Sequence, residues 1–168
     1  MCLKEDENSV NEWMSKKTNK YTSVVVQNEM LKIMGLSILR EITKNIHESQ
    51  FYSLMADETT DVSNKEQLVI CIRWVDSKLQ PLEDLIGLHN IDCINAETIV
   101  SVLKDTLLRM NVSLNKCRGQ CYDGCSTMSG SRNGVVTSIK AEEPCALYTH
   151  CYGHALNLAC ADSIKSVK

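Results

Sequence analysis

A mixed α/β architecture, with antiparallel and parallel strands sharing one sheet flanked by helices, is predicted by three features of these 168 residues. Three strand-like stretches follow one another between residues 51 and 91, parted only by short polar turns. From residue 95 onward, helical and strand-like stretches alternate, the arrangement that brings strands back side by side through helices. A content of 43% hydrophobic and 23% charged residues suits one globular domain with its own core and argues against overall disorder. The expected division is a lead-in, residues 1–22, followed by a core, residues 23–168.

The lead-in is polar, carries Lys16, Lys17 and Lys20, and reads as flexible or partly helical. From about Val24, Leu31, Met34, Ile38, Ile42 and Ile46 recur on one helical face while Lys32, Glu41 and Lys44 fall elsewhere, so this helix is expected to bury its stripe in a core. Phe51 to Asp57 runs from apolar residues into Asp57 and the polar group Glu58, Thr59, Thr60 and Asp61. A stretch apolar on both faces suits a central strand buried on both sides, with Asp57 at its end. Gln67 to Val75 alternates Leu68, Ile70, Ile72 and Trp74 along one face and reads as the second strand. Asp76, Ser77 and Lys78 then turn the chain, and Leu82 to Ile91 returns as a less regular third strand, completing an antiparallel meander.

Asn95 is placed to cap a helix in which Ile99, Val102, Leu103, Thr106, Leu107 and Met110 keep helical spacing. Asn115 to Tyr122 lies between two helical stretches and is predicted as a strand, with Asp123 and Gly124 turning out of it. Ser126 to Ala141 is predicted as largely helical despite Gly130 and Gly134, with Val135, Val136 and Ile139 inward and Pro144 beyond its end. Ala146 to His150 makes a last short strand. His154 to Lys165 closes the chain as a helix expected to bury Leu156, Leu158, Cys160, Ala161 and Ile164.

The longest apolar runs fall far short of a bilayer span, and the opening MCLKEDENSV lacks the basic and apolar regions of a secretory signal, so an intracellular protein is expected. Nine cysteines, an odd number scattered through strands and helices, fit buried thiols better than a secreted disulfide scaffold. The net charge of −3 argues against a protein that coats a polyanion, yet it is unevenly spread. Residues 48–103 hold 10 acidic and 3 basic side chains, a net of −7. Residues 104–140 hold Lys104, Arg109, Lys116, Arg118, Arg132 and Lys140 against Asp105 and Asp123, a net of +4. That asymmetry permits a phosphate-facing surface, although solvated faces produce the same pattern.

One aspartate after a buried strand most often only opens a polar turn. Here Asp57 and Asp123 both follow strands, and the element order is that of the ribonuclease H-like fold. In that topology the first strand lies beside the fourth and parallel to it, about 4.8 Å away. Asp57 and Asp123 would then meet at one edge, where two carboxylates suit a hard divalent cation. In a two-metal site the ions sit roughly 3.5–4 Å apart and clamp the attacking and leaving oxygens of a phosphoryl displacement.

The stretches ADETTD at 56–61 with SNKEQL at 63–68, CRGQCYDGCSTMSG at 117–130 and ALYTHCYGHALNL at 146–158 resemble three ordered blocks of hAT-superfamily DNA transposases. The resemblance spans residues 21–160 and is nearest to transposon-derived proteins of the zinc-finger MYM-type and THAP-type. It implies a ribonuclease H-like core that cuts DNA with Mg²⁺ or Mn²⁺ held by two Asp and one Glu, with Asp57 matching the first acid and Asp123 the second. The third acid is expected beyond a helical insertion, and the chain ends at Lys168 before that point. Asp162 can be considered as a stand-in, but it has no motif around it and reads as a solvated helix residue.

Cys151 and His154 match a family Cys-x-x-His motif associated with DNA handling. Their spacing is also half of a zinc site, and a composite can be drawn with Cys117, Cys121, Cys125, Cys145 and Cys160. Buried thiols are the simpler reading, and His150 likewise reads as structural. Where family members often carry Gly or Ala, this chain has Cys121 and Cys125, and where a basic residue often follows the histidine it has Ala155, a loss that would weaken phosphate contact. The expected function is therefore that of a transposase-derived domain, ancestrally a metal-dependent DNA-cleaving and strand-transferring enzyme, inactive alone for want of the third acid. The alternatives are a domesticated nuclear module that binds DNA or protein partners, and a relic without specific function. Nuclear location and the DNA partner follow from the resemblance alone, which leaves the oligomeric state open.

Overall fold

The computed structural model describes residues 7–17 and 21–166. Lys20 and the remainder of 1–6 and 18–20 in the predicted lead-in lie outside the described residues. Two compact units are present, Met1–Leu39 and Arg40–Lys168. The first holds helix α1, Glu7–Ser15, and the N-terminal part of helix α2, Val24–Glu48. Within it Leu31, Met34 and Ile38 are exposed, so the expectation that the whole α2 stripe is buried is corrected. Along this stripe burial begins only past Arg40, where Ile42 is half-buried and Ile46 fully so.

The second unit is built on a five-stranded sheet, from β1 (Tyr52–Thr60), β2 (Glu66–Val75), β3 (Pro81–Asn90), β4 (Cys117–Tyr122) and β5 (Leu147–His150), in the order β3-β2-β1-β4-β5. β1 pairs antiparallel with β2 and parallel with β4, and β4 pairs parallel with β5. This is the meander-plus-parallel arrangement of a ribonuclease H-like sheet. Pro81 opens β3, an edge strand, where its missing N–H leaves no ladder bond unmade.

Alternation along the strands decides which face is covered. Tyr52, Leu54 and Ala56 of β1, Leu68, Ile70, Ile72 and Trp74 of β2, and Cys117, Gln120 and Tyr122 of β4 are buried. On that side lie helices α3 (Ala96–Arg109) and α5 (Val135–Glu142), contributing Ile99, Leu103, Leu107, Val135 and Ile139. α3 starts as predicted, with Asn95 Oδ1 accepting the Thr98 N–H at 2.8 Å. The other face is half-open: Ser53, Met55, Val69, Cys71 and Cys121 are part-exposed, while Leu85 and Leu88 are exposed. β1 is therefore central in the sheet but not buried on both sides as its composition suggested.

Three further expectations are corrected. The helix predicted over Ser126 to Ala141 is broken into α4 (Ser126–Ser129) and α5, because the chain folds back at Gly130–Gly134. A Cβ on Gly134 would stand 2.5 Å from Gly130 N, so only a bare Cα permits the approach. Asn115 and Lys116 form a 3₁₀ turn, Leu114–Lys116, ahead of β4 rather than part of it. The closing helix α6 runs over Tyr152–Ser166, but Leu156, Leu158, Cys160, Ala161 and Ile164 are exposed, since nothing among the described residues covers them.

Candidate functional site

Asp57 lies within β1, three residues before its end, rather than at the end as expected. β2 accompanies β1 the whole way, pairing Asp57 with Val69, whereas the β1–β4 pairing stops at Met55 and Cys121. The sheet therefore splits between β1 and β4 just before both aspartates. Asp123 follows the last residue of β4, and its backbone oxygen is held by the Tyr148 hydroxyl at 3.1 Å. Asp57 Oδ1 accepts the Glu58 N–H at 3.1 Å, and Asp123 Oδ1 accepts the Cys125 N–H at 3.3 Å.

Both carboxylates open onto one cleft of about 400 Å³, whose wall also contains Cys151 and His154. All four site residues drawn from the sequence thus line a single cleft. Cys151 joins the sheet through its N–H, which donates to Tyr122 O at 2.9 Å, and its own oxygen accepts the Ala155 N–H as α6 begins. The i, i+3 spacing places Cys151 and His154 on one side of that first turn. His150 packs against Gly124, the residue after Asp123: a Cβ there would stand 2.9 Å from the His150 ring, and the His150 and His154 rings lie 5.8 Å apart. His150 Nε2 is buried without a hydrogen-bond partner.

A second cleft, of about 290 Å³, is shared by Asp57, Asp123 and Glu58. Glu58 was not singled out from the sequence, although an acid directly after Asp57 is a signal that was there to use. Its Oε1 is buried without a partner. Burial, then the nearby charges of Asp123, Glu66 and Asp57, hold its carboxyl above the usual glutamate range.

The zinc composite is not assembled. Cys117 is buried in β4 with its thiol donating to Gly119 O, Cys125, Cys145 and Cys160 are exposed, and only Cys121 shares the cleft with Cys151 and His154. Cys71 of β2 joins that wall unanticipated. Burial first, then the neighbouring Cys151, pushes the Cys121 thiol up, which keeps it protonated at neutral pH. Among the described residues no three His, Cys, Asp or Glu side chains converge closely enough to hold a metal ion. Asp162 is exposed on α6 and pairs with Lys165 at 3.6 Å.

The basic stretch 104–140 is largely spent within the fold. Lys104 pairs with Glu142, Arg109 with Asp105, and Arg118 with Glu143, while Lys116 donates to the His47 and Ser49 carbonyl oxygens at 3.0 Å.

The family model described as DUF4371, the ZMYM1/FAM200 RNase-like domain, matches residues 2–134, which include Asp57 and Asp123. Two relatives, from Homo sapiens and Mus musculus, each bear the name 52 kDa repressor of the inhibitor of the protein kinase. The human protein is 31% identical over 146 residues and the mouse protein 28% identical over 145. Each alignment covers 86% of this chain and 19% of the relative, so the chain spans about a fifth of the relatives' length.

Proposed function

Because the chain belongs to the DUF4371 ZMYM1/FAM200 RNase-like domain family, which descends from hAT transposases, we propose that its Asp57 and Asp123 are the two-acid part of a divalent-cation site inherited from DNA cleavage and strand transfer. The observation that carries this reading is the opening of both aspartates, from adjacent parallel strands, onto one cleft. Their oxygens are hard donors that suit Mg²⁺ or Mn²⁺, and the unpartnered Glu58 Oε1 beside them adds a third acid to the neighbourhood. A bound ion would neutralise phosphoryl oxygens while water or a 3′ hydroxyl attacks the phosphate. Asp57 and Asp123 each commit Oδ1 to a backbone N–H, and both residues line the cleft. Two protein carboxylates would leave the ion's remaining positions to water or phosphate oxygens.

Mn²⁺ titration calorimetry of the intact chain beside Asp57→Asn and Asp123→Asn tests this. Binding by the intact chain that weakens at least tenfold in both variants is the expected result. An intact chain that binds no Mn²⁺, or variants that bind as it does, overturns the reading and favours a second one. In that second reading the domain is a metal-independent binding module, as suits relatives named as repressors. Internal pairing of Lys104, Arg109, Lys116 and Arg118 then favours a protein partner over DNA.

A further inference from the structure

The turn that carries Asp123 is held from β5, a strand none of whose residues lines either acidic cleft. β5 is the short edge strand beside β4, with Tyr148 opposite Gln120 and His150 opposite Tyr122. Alternation leaves Leu147 and Thr149 exposed, whereas Tyr148 and His150 are half-buried on the face they share with the buried Gln120 and Tyr122. The Tyr148 ring stacks on that of Tyr122, with centroids 6.5 Å apart and planes inclined by 24°, which fixes the phenol. From there its hydroxyl reaches past the end of β4 and donates to Asp123 O at 3.1 Å.

That bond stands where the sheet ladder gives out. The pairing of β4 with β1 has ended at Cys121 and its pairing with β5 at Tyr122, so neither neighbouring strand sets Asp123 through the ladder. Four successive carbonyl oxygens nevertheless have donors. Tyr122 O accepts the Cys151 N–H at 2.9 Å, Asp123 O accepts the Tyr148 hydroxyl, and Gly124 O and Cys125 O accept the Ser129 hydroxyl at 3.0 Å. Ser129 belongs to α4, which moves with the turn, whereas Tyr148 ties Asp123 itself to the sheet. Letting this carbonyl swing rotates the backbone at Asp123 and carries the Cys125 N–H away from Oδ1, which frees the carboxylate. Resting on the cation site proposed above, we infer that Tyr148 is a positioning residue: its hydroxyl holds the Asp123 peptide so that the carboxylate meets the ion, without touching the ion itself.

Tyr148→Phe removes the hydroxyl and keeps the stacked ring, so the variant should fold, as thermal melting would verify. Calorimetry should show Mn²⁺ affinity weakened about fivefold, in keeping with one lost hydrogen bond. Thr149→Val, on the opposite face of the same strand, should bind as the intact chain does. Tyr148→Phe should add nothing to the loss caused by Asp123→Asn but its full effect to that of Asp57→Asn, an asymmetry that general loosening of the fold does not produce. A metal-free readout accompanies these: solvent exchange of the Cys125 amide, followed by NMR, should quicken at least threefold in Tyr148→Phe while β1 amides keep their rates. Unchanged Mn²⁺ affinity, equal losses in the two aspartate backgrounds, or an unchanged Cys125 exchange rate would each overturn the role of Tyr148. An intact chain that binds no Mn²⁺ overturns the cation site instead, and Cys125 exchange alone then decides whether Tyr148 holds Asp123.

Discussion

Glu58 shows how one side chain can register the charge of a whole site. Its Oε1 is buried without a partner, and burial together with Asp123, Glu66 and Asp57 opposes its ionisation. A carboxyl whose folded pKa lies above its unfolded value contributes stability that is complete below the unfolded value and lost as pH rises through the folded one. Glu58→Gln should therefore raise Tm at pH 7 and leave it unchanged near pH 3. Partial exposure limits the gain to about 0.5 kcal/mol, roughly 1–2 °C. Thermal melts at the two pH values measure it, and an equal shift at both would show that charge is not the cause. The same substitution preserves Asp57 and Asp123, so it separates the electrostatic cost of the acidic cluster from the proposed cation site.

Helix α3 and the loop that follows α4 depend on local chemistry of opposite kinds. α3 begins with a side-chain acceptor, and Asn95→Ala should cost about 1 kcal/mol, a fall in Tm of about 3 °C. Between α4 and α5 the requirement is absence of a side chain. Gly134→Ala would press a Cβ to 2.5 Å from Gly130 N and 2.9 Å from Met128 O, both backbone atoms that cannot swing away. A loss of about 2 kcal/mol or more is expected by chemical denaturation, larger than that of Asn95→Ala. Gly130 and Gly134 are visible in the chain, but a helical periodicity on either side of them hides a reversal that only close backbone contact reveals.

Among the described residues of the second unit, burial is concentrated on one side of the sheet. β1, β2, β4, α3 and α5 enclose the buried residues, whereas α6 and residues 24–38 leave their large apolar side chains exposed. Few buried contacts mean local opening at low free energy. Amide exchange should therefore be at least a hundredfold faster in α6 and in residues 24–38 than in β1, β2 and α3, read peptide by peptide by mass spectrometry. Equal protection of α6 and β1 would show that the exposed apolar face is covered in solution. Cys151 and His154 line the cleft on the half-open sheet face, where α6 begins.

Periodicity and punctuation sufficed for the meander, the Asn95 cap and the α3 face, because each depends on residues close together in the chain. Leu68, Ile70, Ile72 and Trp74 announce a one-faced strand whatever lies beyond it. The family blocks around Asp57 and Asp123 were legible for the same reason, being contiguous runs. Burial was not, since an apolar stripe states what a helix can cover and not whether anything arrives to cover it. Leu31, Met34, Leu156 and Ile164 have core-like spacing and remain exposed. Nor could linear spacing show that β4 leaves β1 after Met55, opening the cleft that joins Asp57, Asp123, Cys151 and His154, or that the Tyr148 hydroxyl reaches Asp123 from 25 residues further along the chain. Such meetings are set by the packing of distant segments, whose free energy belongs to pairs of surfaces rather than to any one stretch of chain.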